Sequence, residues 1–99
     1  LDPASVCEVL GSGAAASRML QLRGPMMIEG RYEPPTMKLD VWQKDLALIS
    51  EFARATGAAT PLFSATVPLY EKAVRSGLGR LDTAAVYTVL NASAPDSQP

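Results

Sequence analysis

Between Leu39 and Thr56, apolar side chains recur at the three- and four-residue spacing of an α-helix. Leu39, Trp42, Leu46, Ile49 and Ala53 form one stripe, and Val41, Leu48, Phe52 and Ala55 form a second. Two stripes predict a central helix buried on more than one side. The polar residues Asp40, Gln43, Lys44, Ser50, Glu51 and Arg54 share one arc of the same wheel. Asp45 does not join them. It falls inside the apolar arc, flanked by Val41, Trp42, Leu48, Ile49 and Phe52. A carboxylate on a face meant for burial is costly unless it is paired or hydrogen-bonded. Asp45 therefore either has an ion-pair partner inside the bundle, such as Arg18 or Arg80, or looks into a cleft. Lys44 stands at the border of the polar arc, where a flexible ammonium reaches over such a cleft.

The punctuation elsewhere is also helical. Asp2 followed by Pro3 reads as a cap and first turn, opening a helix to about Leu10 that stops at Gly11-Ser12-Gly13. A second helix is expected over Ala14 to Arg23, ended by Gly24-Pro25. Met26 to Tyr32 reads as a turn of helix or an extended link with its methionines packed inward. Gly57 closes the long helix, and Thr60-Pro61 opens the next, which Pro68 kinks or splits before Ser76-Gly77. Gly77 and Gly79 make a tight turn. Asp82 caps a last helix, Thr83 to Leu90. No stretch alternates at period two, so the expected fold is all-α: a five-to-six-helix bundle around the long helix. Residues 1–91 would form one helical domain and 92–99 a frayed tail.

The aromatic residues Trp42, Phe52, Phe63 and Tyr70, at helical spacing, read as core. The glycine pairs read as helix turns, because no lysine and hydroxyl residue follow them as a phosphate loop requires. Cys7 is the single cysteine, so an internal disulfide is excluded, and it reads as a small buried hydrophobe in a reducing compartment. Histidine is absent, which removes the commonest general base and metal ligand. Asp40, Asp45 and Glu51 lack ligand spacing, so no metal site is expected. A net charge of -1 with scattered lysines and arginines argues against nucleic acid and against an anionic membrane surface. No apolar run approaches a membrane span of about 18 residues. The 99 residues, beginning at Leu1, read as a piece of a longer, cytoplasmic protein.

Several short segments lie in order along the chain: Leu1-Asp2-Pro3 with Glu8-Val9-Leu10, then Lys44-Asp45-Leu46, Ala53, Pro61, Leu69-Tyr70, Gly77 and Asp82. On these residues, Leu1 to Leu90 resembles the C-terminal helical domain of the β-hydroxyacid dehydrogenases. This is the family of 3-hydroxyisobutyrate dehydrogenase and tartronate semialdehyde reductase, with a domain like the C-terminal part of 6-phosphogluconate dehydrogenase. The family's cofactor-side motif is Lys-Asp-Leu-Gly, followed by a small residue and an acidic one. Lys44, Asp45 and Leu46 match, and Glu51 stands for the acidic member. Ala47 replaces the glycine, Ile49 the alanine, and Met37 an aromatic common ahead of the lysine.

The resemblance implies an NAD- or NADP-dependent parent that moves a hydride between cofactor and a small 3-hydroxy acid. Lys44 and Asp45 would be its cofactor-side residues. It implies an N-terminal Rossmann domain, a Ser-Gly-Gly substrate grip and a catalytic lysine on an interdomain helix, none of them in this sequence. No catalytic residue is then expected here, no cofactor bound to the fragment alone, and no activity from it. The family uses this domain as a subunit interface, so a homo-oligomer is expected. A rival from another class is a standalone helical interaction or dimerisation module without catalysis. The two differ in what lies upstream of Leu1: a G-x-G-x-x-G fingerprint or a native start.

Overall fold

A computed structural model describes residues 1–93 of the chain. The fold class is the one that the periodicity predicts: five α-helices, and no strand among the described residues. Contacts divide the chain into two units, Leu1–Tyr32 and the part from Glu33 onward.

The first unit pairs α1 (Pro3–Gly11) with α2 (Arg18–Glu29). Asp2 caps α1 as expected, with the Ser5 amide donating to Asp2 Oδ2 at 3.2 Å. The second helix departs from the sequence reading. It starts four residues later, where Ser17 Oγ accepts from the Leu20 amide at 3.0 Å, and it runs straight through Gly24-Pro25. Pro25 removes one helical donor without stopping the helix. Gly24 serves close approach instead. It is buried, and a Cβ there would stand 3.2 Å from Cys7 Sγ on α1. The true stop is Gly30 (φ 66°), with the Arg31 amide donating to Met26 O at 3.0 Å. Met26 to Glu29 are thus helical, and Cys7 is only half-buried.

The second unit holds α3 (Leu39–Thr56), α4 (Pro61–Ala73), a π-turn (Val74–Leu78), a short 3-10 turn (Thr83–Ala85) and α5 (Val86–Ser93). The rest of the expected tail, residues 94–99, lies outside the described residues. The bounds of α3 are those of the periodic segment. α4 continues across Pro68 as one helix rather than splitting. Its end unwinds at Gly77, which adopts φ 87°. Leu39, Leu46 and Ala53 of α3 meet Ala73, Ala84, Ala85 and Val89 in the buried core of this unit. Trp42 and Tyr70 pack edge to face, with centroids 5.9 Å apart and planes at 76°.

One expectation about α3 fails. Its second stripe is not buried: Leu48 is 64% exposed and Phe52 70% exposed, Val41 and Ala55 are also open, and so is Ile49 of the first stripe. α4 and the π-turn cover one side of the helix, and nothing described in this unit covers the other. Phe52 is therefore not a core residue here.

Candidate functional site

α3 carries both residues that the sequence singles out. Lys44 is exposed, and Asp45 is half-buried. Consecutive residues on a helix diverge by about 100°, so the two side chains do not share a face. Asp45 lies on the open stripe with Val41, Leu48 and Phe52. Among the described residues its carboxylate has no ion-pair partner, and Arg80 does not supply one. Beside the two residues, Leu48, Glu51, Phe52 and Ala55 line a shallow depression. Two polar atoms on the same helix, Trp42 Nε1 and Gln43 Oε1, are buried without a hydrogen-bond partner. Unmet buried polar atoms cost on the order of 1–3 kcal/mol each.

How α3 is held in place is less apparent from its own sequence. Lys38 occupies the cap position and makes no side-chain cap bond. The free amides of the first turn are met by a distant segment: Leu39 N donates to Leu81 O at 2.9 Å and Asp40 N to Gly79 O at 2.9 Å. Thr83 N donates in the reverse direction, to Met37 O at 2.9 Å. At Gly79 the contact is so close that a Cβ would lie 2.6 Å from Asp40 Cγ. The backbone of Gly79 is ordinary helical (φ -57°), and the atoms it approaches all belong to the exposed Asp40 side chain, which a Cβ would turn aside.

Asp82 ties the junction together. It is fully buried, at 0% exposure. Its Oδ1 accepts from Thr36 N at 2.9 Å, Thr36 Oγ1 at 2.9 Å and Met37 N at 3.2 Å. Its Oδ2 accepts from Ala84 N at 2.8 Å. Burial opposes the negative charge, but the amides of Ala84 and Met37 and the donors of Thr36 outweigh it. The carboxyl is held below the usual aspartate range. From the sequence, Asp82 is expected only to cap the last helix. Its reach to Thr36 spans 46 residues and leaves no local signal.

Over residues 1–90 the chain matches the family described as the NAD-binding part of NADP-dependent 3-hydroxyisobutyrate dehydrogenase. The chain belongs to that family of NAD(P)-dependent oxidoreductases. It is 37% identical over 93 residues to the chloroplastic glyoxylate/succinic semialdehyde reductase 2 of Arabidopsis thaliana, which covers 94% of this chain and 26% of that protein. It is 33% identical over 87 residues to the cytokine-like nuclear factor N-PAC of Aedes aegypti, covering 88% of this chain and 15% of the relative. The crystal structure of a 3-hydroxyisobutyrate dehydrogenase from Salmonella typhimurium superposes with a TM-score of 0.82 at 27% identity, over 90% of this chain and 31% of that one. The chain thus spans a third or less of these proteins' lengths. No helix among the described residues is long and apolar enough to cross a membrane.

Against the cofactor of that family, the residues present make a partial fit. Lys44 is a mobile cation suited to one anionic group, a phosphate or a carboxylate. The open apolar stripe beside it suits a wall that keeps water away. Asp45, one residue on, would repel a second anion.

Proposed function

We propose that this chain is the C-terminal, all-helical domain of an NAD(P)-dependent 3-hydroxyacid dehydrogenase. The observation that supports the reading is the family match over residues 1–90; in the fold, the segment Lys44-Asp45-Leu46 lies on α3 with Lys44 exposed. In the whole protein the cofactor accepts or gives the hydride at the carbinol carbon of a small hydroxy acid. The acid/base lysine and the Rossmann domain lie outside this sequence, and this chain adds a wall of the cleft. Lys44 holds an anionic group of cofactor or substrate, and Asp45, on the neighbouring face of α3, lies on the cofactor side of the domain. Val41, Leu48 and Phe52 face the rest of the protein or a second subunit, which supports a homo-oligomer. A cytoplasmic location rests on the lone Cys7. Alone, the chain binds no cofactor and has no turnover.

The reading is tested by titrating NADPH and NADH into the full-length protein, wild type and Lys44→Ala. Loss of one charged contact should raise the Kd of the preferred nucleotide roughly tenfold. An unchanged Kd removes Lys44 from the site. If the wild type neither binds a dinucleotide nor oxidises 3-hydroxyisobutyrate, the enzyme reading falls. The second reading, a helical interaction module, is favoured by the relative named as a nuclear factor and by the open apolar face of α3. It predicts an upstream sequence without a G-x-G-x-x-G segment.

A further inference from the structure

We propose that Asp82 is a positioning residue: by tying residues 36–37 to the turn that meets the first amides of α3, it fixes where Lys44 stands. The inference rests on the reading above that Lys44 contacts the cofactor, and it adds the device that places that contact.

A helix normally anchors its start with its own cap side chain, and Lys38 provides none. Instead the start of α3 is clasped from both sides by residues 79–84. Carbonyls of Gly79 and Leu81 take the amides of Asp40 and Leu39, each at 2.9 Å. Asp82 Oδ1 takes the amides of Thr36 and Met37 and the hydroxyl of Thr36, at 2.9 to 3.2 Å. Lys44 Cα lies about 7.5 Å along the axis from that of Leu39 at 1.5 Å per residue. A helix is stiff over so short a span. A change in the pitch or rotation of its first turn therefore carries directly to Lys44. Exposed and on a flexible stem, Lys44 has no described neighbour that fixes it independently.

The two oxygens of Asp82 divide the work, so the clasp can be separated from the cap. Asp82→Ser keeps one oxygen for the Ala84 amide, a cap as good as aspartate, and loses the reach to Thr36 and Met37. Asp82→Asn keeps an acceptor for residues 36–37 and turns an NH2 toward the Ala84 amide. A residue that only stabilises the fold lowers the Tm in both variants and leaves affinity alone. A positioning residue separates them.

The experiment measures the Kd for NADPH (or NADH, if that is the preferred nucleotide) in the full-length protein, well below each variant's Tm. Asp82→Ser should raise the Kd about five- to tenfold, and Asp82→Asn less than twofold. In a Lys44→Ala background, Asp82→Ser should add nothing further, because its effect passes through Lys44. A Kd within twofold of wild type for Asp82→Ser, with a lowered Tm, overturns the proposal. So does a full additional loss in the Lys44→Ala background. In both cases the Lys44 reading stands if Lys44→Ala alone weakens binding; if it does not, that reading and this proposal fall together. Should Asp82→Ser not fold, Thr36→Val decides. It removes the hydroxyl that donates to Asp82 Oδ1 at 2.9 Å and leaves the Ala84 cap in place, and a Kd raised at least threefold supports the proposal where an unchanged one refutes it.

Discussion

The two ends of α3 are held by different kinds of information. At its C-terminus the chain closes its own helix. Gly57 adopts φ 72°, its amide reaches Arg54 O at 3.3 Å, and the Ala58 amide reaches Ala53 O at 2.9 Å. Together these form a Schellman motif built from adjacent residues. At the N-terminus no adjacent side chain caps the helix, and the partners come from residues 79–84. A local end costs little to change and affects little beyond itself. A tertiary end concentrates several buried hydrogen bonds on one carboxylate, and it couples the start of α3 to a turn more than forty positions away.

The largest expected effect breaks the tertiary end outright. Asp82→Ala strands the amides of Thr36, Met37 and Ala84, and should cost about 3–5 kcal/mol. Urea unfolding measures it, and a cost below about 1 kcal/mol would show that water replaces the carboxylate without loss. Gly57→Ala at the local end should cost only about 1 kcal/mol, the left-handed penalty for a side chain. A loss as large as that of Asp82→Ala would erase the contrast between the ends. Next comes Gly79→Ala, where the new Cβ meets the Asp40 carboxylate. Because the exposed Asp40 side chain can turn away, we expect a loss of at most about 1 kcal/mol. Adding Asp40→Ala to it should restore most of that loss, and simple additivity of the two changes would place the strain elsewhere.

The smallest effect is in pH. Because the folded Asp82 carboxyl titrates below its ordinary value, its contribution is fully present above that value, about pH 3.9. It is lost as the pH falls from there through the folded value. Wild-type stability should therefore decline on acidification across that window more steeply than that of Asp82→Asn. Parallel curves would show that the carboxylate's charge is not what holds the junction.

Much of the fold can be read from the residues. Asp2-Pro3, the bounds of α3, the caps at Gly57 and Asp82 and the turn at Gly77 all follow from local chemistry, and each stands as read. The misreadings have a common cause. Gly24-Pro25 looks like a stop, but Gly24 is small because α1 passes close to it. The second stripe of α3 looks like core, but in this unit it is open. Lys44 and Asp45 are conspicuous because a charge breaks a periodic pattern. Asp82 is not, because a single aspartate before a helix already has a sufficient local explanation.

By itself, then, the sequence determined the helical class, the span of α3 and the lysine and aspartate that mark it. These depend on spacings within a few turns, where propensity and hydrophobic period act. Only the tertiary structure decided which stripe of α3 is buried, what Gly79 lies against and what holds the first turn. Those outcomes depend on groups far apart in the chain, and a buried carboxylate takes whichever amides the fold brings to it.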